Sequence, residues 1–150
     1  AGVGVLLINL NGTKFLNESF GHKIGDDLLK AVAAKLTSLK RSTDVIGRLG
    51  GDEFAVIMTN FLLPGHALTQ ARKILDGISV PMATRDGEHP VTAAAGLVAE
   101  TISRKSSTTP DLVDRMMQLA GRAMFEAKQR TRMRGMSELV MGRLGQDSVH

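Results

Sequence analysis

The sequence contains no cysteine, no tryptophan and no tyrosine. Without cysteine there are no disulfides and no thiolate metal sites, which fits a reducing compartment. With five Phe as the only aromatics, the core must be built from Leu, Ile, Val, Ala and the eight Met. No apolar run reaches the ~18 residues that a membrane-spanning helix needs, and no segment has the layout of a signal peptide. A cytoplasmic domain without membrane contact is the expectation. Strong charge of one sign is also lacking. A net charge of +4 favours anionic ligands, but the one basic cluster, Lys128 to Arg134, has no aromatic beside it except Phe125. Nucleic-acid binding calls for a dense basic stripe with interleaved aromatics, so no polynucleotide partner is expected. What remains is an ordinary globular balance: 150 residues, 43% hydrophobic and 23% charged, the size of one domain.

Val3 to Leu10 is a continuous apolar run with β-branched members, which reads as a strand buried on both faces. Gly25 to Leu39 carries Leu28, Leu29, Val32, Ala33, Leu36 and Leu39 at helical spacing. Asp26 and Asp27 are placed in its first turn, where the helix dipole favours negative charge. Asp44 to Leu49 and Glu53 to Thr59 read as two short strands joined through Gly50-Gly51, a pair suited to the positive φ of a primed hairpin turn. Pro64 opens a helix with Leu68, Ala71, Ile74, Leu75 and Ile78 on one face. Arg85-Asp86-Gly87 is a turn signal, and Val91 to Ala99 a further strand. Thr109-Pro110-Asp111 offers a cap, a first-turn proline and a first-turn acid for a long helix with Leu112, Met116, Met117, Ala120, Ala123, Met124 and Ala127 inward. Periodicity fades after Met133, and residues 135–150 read as a tail or linker. The order predicts one α/β sandwich, with helices on a mixed sheet.

The strongest chemical signal is Arg48-Leu49-Gly50-Gly51-Asp52-Glu53-Phe54. Glycines let a ligand approach the backbone closely, and two acids directly after them offer oxygens for a cation or a proton. Taken alone, the segment reads equally well as a solvated hairpin with acids at its edge. It is accompanied by Asn9-Leu10-Asn11 after the first strand, then Lys14, Asn17, Gly21, His22, Gly25 and Asp26. Together these residues resemble the GGDEF family of diguanylate cyclases, whose pattern is roughly Asp-x-Asp-x-Phe-Lys-x-x-Asn-Asp-x-x-Gly-His-x-x-Gly-Asp followed by Arg-x-Gly-Gly-Asp-Glu-Phe. The resemblance runs from about Val5 to Arg132 and includes Val91-Thr92 with Gly96, and Ala123 to Lys128. It defines a GGDEF domain over residues 1–134.

The resemblance implies a nucleotidyl-cyclase-like, polymerase palm-like sandwich with a mostly antiparallel sheet flanked by helices. It implies condensation of two GTP to cyclic di-GMP across a homodimer, with Mg2+ or Mn2+ as cofactor. Carried over by position, Asn17 and Asp26 read the guanine, and Gly50 and Gly51 lie against the substrate. Lys128 and Arg132, four apart and so on one helix face, bind phosphate. Asp52, Glu53, the Leu10 backbone and position 9 hold metal, and Glu53 is a metal ligand or a base for the attacking hydroxyl. Arg41-Ser42-Thr43-Asp44 matches the family's inhibitory site for the cyclic di-GMP product, where an Arg fork grips phosphate and stacks on guanine. Its alternative is a surface ion pair.

The chain departs from the pattern at several positions. Asn9 stands where the family has its first metal-binding aspartate, and Asn11 at the second. Thr13 replaces a Phe, Gly121 an acid, Thr131 a Gly and Met133 an Asn. The family's preceding helix, with Asp-x-Leu-Thr-Gly-Leu-x-Asn-Arg, is missing, which implies a piece of a longer protein with a linked sensor or phosphodiesterase domain. Three functions remain open: a cyclase with turnover impaired by Asn9, an inactive module that binds GTP or cyclic di-GMP and regulates a neighbour, or a purely structural dimerisation domain.

Overall fold

The computed structural model describes residues 2–101 and 110–144. Strand β1 (Gly2–Leu10) is buried along all nine residues, because it is the middle strand of a five-stranded sheet covered on both sides. Its side chains alternate between the faces. Leu6, Ile8 and Leu10 join the core under α2 (His22–Leu39) and α3 (Pro64–Ile78), whereas Val3, Val5 and Leu7 pack with Met116, Leu119 and Ala120 of α4 (Pro110–Arg134). The other strands are β2 (Val45–Gly50), β3 (Glu53–Thr59), β6 (Ala93–Thr101) and β7 (Glu138–Met141), in the order β2-β3-β1-β6-β7. All neighbours run antiparallel except β6 and β7. The mixed α/β sandwich anticipated from the periodicity is present.

Gly96 of β6 sets how closely α4 lies on the sheet. A Cβ there would come within 2.1 Å of the Ala120 carbonyl oxygen and 2.3 Å of the Met124 nitrogen. Only a residue without a side chain lets the helix backbone rest on the strand. Lys128 and Arg132, further along α4, are thereby held at a fixed height above the end of β1.

Several local expectations differ from the structure. Helix α1 (Thr13–Phe20) was not anticipated. It buries only Leu16 and leaves Phe15 and Phe20 exposed, and its eight residues are too few for a periodic pattern to stand out. Helix α2 begins at His22, not Gly25, so Asp26 and Asp27 lie beyond its first turn and gain little from the helix N-terminus. Asp27 instead pairs with Arg85 (Nε to Oδ2, 2.8 Å) and accepts the Arg85 backbone N–H. This ties the turn between β4 (Met82–Thr84) and β5 (Gly87–His89) to α2. The Arg85 guanidinium lowers the Asp27 pKa from 3.8 to about 2.

The chain after residue 134 is not all tail: Glu138–Met141 forms β7, whose Val140 is buried against Ala94, Ala123 and Ala127. The hairpin between β2 and β3 does not use positive φ at Gly50 or Gly51. Its register shifts between Arg48 and Gly50, and the Arg48 guanidinium donates to the carbonyls of Gly50 (3.0 Å) and Gly51 (2.8 Å). A bulge and a side-chain brace close the turn in place of a primed conformation. The expected cap at Thr109 lies outside the described residues, but Pro110 opens α4 and Asp111 sits in its first turn. Among the described residues no helix is long and apolar enough to cross a membrane.

Candidate nucleotide-binding groove

The sheet delivers Asn9 and Asp52 to the same corner. Asn9 is paired with Glu53 across β1 and β3, and the Leu10 N–H donates to the Asp52 carbonyl at 2.9 Å. Beyond Leu10 the chain turns through Gly12, at φ 77°, into α1. That helix has no side-chain cap, so N–H groups of its first turn are left without intrahelical partners and are available to an anion.

Two depressions open from this corner and share Thr13, Lys14 and Asp52. One, of about 450 Å³, is bounded by the start of α1, the Leu10 end of β1 and the Lys128 and Arg132 end of α4. The other, of about 480 Å³, runs between α1, α2 and the hairpin and is lined by Asn17, His22, Asp26, Arg48 and Gly51. Together they form one groove with cations at one end and amide and carboxylate groups at the other. Lys14, Lys128 and Arg132 share the first depression with a single carboxylate, Asp52. Such a balance accommodates a polyphosphate. At the other end, Asp26 is exposed and can accept the two donors, N1–H and the 2-amino group, on guanine's edge. Adenine has an acceptor at N1 and would leave the carboxylate facing a lone pair.

Asn17 reaches this end because Gly25 leaves room for it. A Cβ at Gly25 would lie 1.7 Å from Asn17 Oδ1, an atom that is buried with no hydrogen-bond partner among the described residues. Open space surrounds Gly50 and Gly51 on their side-chain sides, which leaves the turn accessible to a ligand.

The structure brings together Asn9, Leu10, Asn17, Asp26, Gly51, Asp52, Lys128 and Arg132. Glu53 adjoins the corner through its pairing with Asn9 and does not line either depression. Arg41 and Asp44 lie elsewhere. Asp44 is fully buried and bonded to Arg41 Nη2 (3.0 Å), to the Arg41 backbone N–H (2.9 Å) and to Gln70 Nε2 (3.4 Å), while Arg41 Nη2 also donates to the Thr59 carbonyl. Thr59 ends the strand that Glu53 begins, so this cluster sits about 20 Å from the groove at ~3.3 Å per residue.

Thr13, Lys14, Arg48, Thr92 and Thr131 also line the groove or brace it, without having been given roles from sequence. Lys14 had a detectable signal in its place in the family pattern, between Asn11 and Asn17, and the structure sets it in the first turn of α1, where a cation opposes the dipole. Thr13 had a weaker one, as a second departure close to Asn9.

The oxygens at this corner are those a divalent cation would require. Both oxygens of Asp52 already accept hydrogen bonds, from Asn9 Nδ2 at 3.2 Å and from Thr13 Oγ1 at 2.9 Å. Asn9 adds a neutral amide in place of a second carboxylate, its Nδ2 and not its oxygen turned to Asp52, and no cluster of three acidic or imidazole side chains occurs among the described residues. Hard cations of the magnesium type are held by carboxylate and carbonyl oxygens. As arranged here, the residues do not fit one.

Comparison with known proteins agrees with the geometry. The profile of the family described as "Diguanylate cyclase, GGDEF domain" matches residues 1–134. The chain is 35% identical to the signalling protein YkoW of Bacillus subtilis, over 85% of the chain and 15% of YkoW. It is 34% identical to the response regulator PleD of Caulobacter vibrioides, over 84% of the chain and 27% of PleD. The bifunctional diguanylate cyclase/cyclic di-GMP phosphodiesterase MucR of Pseudomonas aeruginosa is 39% identical over 62% of the chain and 13% of MucR. The chain thus spans well under a third of the length of each of these relatives. Among solved structures, a truncated TpbB (YfiN) from Pseudomonas aeruginosa comprising only the GGDEF domain superposes with a TM-score of 0.81 at 26% identity, over 99% of this chain and 81% of that one. An EAL/GGDEF domain protein from M. capsulatus gives 0.74 at 25% identity, over 96% and 85%. With its braced Gly-Gly turn, its two-ended groove and a family match across residues 1–134, the chain belongs to the GGDEF family of diguanylate cyclase domains, the domains of cyclic di-GMP signalling.

Proposed function

We propose that this domain holds GTP in the groove, guanine toward Asn17 and Asp26 and phosphates toward Lys14, Lys128 and Arg132. The observation that carries this reading is the continuity of the two depressions through Thr13, Lys14 and Asp52. Catalysis takes two such domains face to face in a homodimer. The 3′-oxygen of one nucleotide forms a bond to the α-phosphorus of the other, and the α–β phosphoanhydride bond breaks with its electron pair leaving on pyrophosphate. The hydroxyl proton passes to Glu53, beside the corner. Lys128 and Arg132 neutralise the charge that grows on the leaving pyrophosphate. Repetition in the other direction closes cyclic di-GMP.

The family implies a divalent metal requirement, and the Asp52 corner of this chain is poorly made for one. Turnover is therefore low, and the domain acts chiefly as a nucleotide-binding regulatory unit of a longer cytoplasmic signalling protein, linked to sensor or phosphodiesterase domains. The hydrogen bond from Asn9 to Asp52 is the observation that favours the regulatory reading over the enzymatic one. Arg41 and Asp44 are assigned to product binding on the outer side of the domain, using the guanidinium edge at Nη1, the one nitrogen of that group without a bond among the described residues.

The test is turnover. The full chain, incubated with GTP and millimolar magnesium, is expected to form little or no cyclic di-GMP by chromatography, and Asn9→Asp is expected to raise the yield. Robust wild-type turnover that the substitution fails to improve would show that Asn9 is no impairment and that the domain is a working cyclase.

A further inference from the structure

Asp52 is the junction of the groove and, among the described residues, the only acid lining its phosphate end. Its two carboxylate oxygens are committed to two neutral donors on different elements: Asn9 Nδ2 at the end of β1 and Thr13 Oγ1 at the start of α1. The Asn9 amide is not free to exchange roles. It is 7% exposed, and turning it over would set its carbonyl oxygen against an Asp52 oxygen, two acceptors with no proton between them. Its Oδ1 is buried without a partner among the described residues, so the side chain is held by the bond it donates to Asp52. The Thr13 hydroxyl is likewise turned to Asp52.

We infer that Asn9 and Thr13 form a two-donor clamp that takes the place of a divalent cation at Asp52, so that the groove takes the polyphosphate of a guanine nucleotide without needing one. The inference rests on reading the groove as a nucleotide site and adds how its charge is balanced. The balance follows from the lining: Lys14, Lys128 and Arg132 share the phosphate end with one carboxylate, Asp52, whose oxygens are turned to Asn9 and Thr13, and the first-turn N–H groups of α1 add donors. A divalent ion entering this corner would compete with both donors for the oxygens of Asp52, the one carboxylate lining the depression, with Glu53 standing beside it on the paired strand. The clamp has two halves, so changing either alone leaves the other on Asp52. An aspartate at position 9 would set carboxylate beside carboxylate, a repulsion that a cation relieves, yet Thr13 would still occupy Oδ2.

Two titrations of the full chain test this. The first uses Mn2+ alone, with the free ion followed by electron paramagnetic resonance. Wild type is expected to bind weakly, Asn9→Asp with Thr13→Val at least tenfold more tightly, and each single variant in between. Thr and Val are close in shape, and circular dichroism shows whether each variant retains the fold. The second titrates GTP by calorimetry, in chelator and in millimolar magnesium. The wild-type affinity is expected to change less than threefold, while that of the double variant rises at least tenfold with magnesium. A wild-type Mn2+ affinity equal to that of the folded double variant overturns the clamp, and so does a tenfold or greater gain in wild-type GTP affinity on adding magnesium. Failure of every protein to bind GTP under both conditions would overturn the nucleotide reading of the groove, and the Mn2+ titration would still decide the clamp by itself.

Discussion

Gly25 and Asn17 show how a single residue without a side chain can serve a ligand it does not touch. The space a methyl group would need at Gly25 is filled by the Asn17 amide. Gly25→Ala should therefore push Asn17 out of the guanine end while the helix itself tolerates alanine, a better helix former than glycine. The expected outcome is that the preference for GTP over ATP narrows several-fold while circular dichroism stays native. An unchanged preference would mean that Asn17 makes no contact with the base. Arg41 is a different case. Its partner Asp44 is fully buried, so Arg41→Ala leaves a buried carboxylate with fewer donors. A loss of ~1.5–3 kcal/mol in stability is expected by denaturant titration, the range for a charged hydrogen bond. If the pair also binds product, cyclic di-GMP affinity falls at least tenfold in the same variant. A stability loss with unchanged affinity would make the cluster purely structural.

At this scale the sequence exposed what motifs can carry. Asp52, Lys128 and Arg132 were named through the family resemblance, and all three line one depression. The role of Thr13 was not, because its hydroxyl matters only through Asp52, 39 positions away, and nothing local to Thr13 shows that contact.

Elements were legible in proportion to the length over which an apolar pattern is sustained. α2, α3 and α4 each bury a stripe, and β1 is a continuous apolar run, so all four could be read from the chain. α1 buries one residue of eight and was missed. β7 was missed because four residues paired parallel to β6 carry too little pattern to separate from a tail. The β4–β5 hairpin showed only its turn; it is held by Met82 of β4, buried in the core, and by the exposed pair between Arg85 and Asp27 on α2. This pair has a pH signature. The Asp27 pKa is depressed to about 2 from 3.8, so the anchoring is fully present above 3.8 and is lost as the pH falls through about 2. The Arg85 Nε–H resonance followed by NMR should remain protected to below pH 3.8 and collapse toward pH 2. Collapse near pH 3.8 would show that the pair is not formed in solution. Because the pair is solvent-exposed, its contribution to global stability should be slight.

On the scale of the whole molecule, the sheet brings four stretches of chain to one corner. β1 delivers Asn9, the hairpin delivers Asp52, α1 delivers Thr13 and Lys14, and α4 delivers Lys128 and Arg132 over the Gly96 contact. Fold class and family were open to a reader of the sequence, since the motif spans most of the chain. The commitment of Asp52 to hydrogen bonds was not, because it depends on three side chains meeting in space. The claim on which the rest stands is that this corner and the groove beyond it form a guanine nucleotide site. Competition of ATP against labelled GTP, on wild type and Asp26→Ala, tests it most directly. GTP is expected to bind at least tenfold more tightly than ATP, since a base seated on Asp26 covers its carboxylate and leaving a covered group unpaired costs ~1–3 kcal/mol, and Asp26→Ala should remove most of that margin. ATP competing as well as GTP, or a preference untouched by the loss of Asp26, would contradict the account.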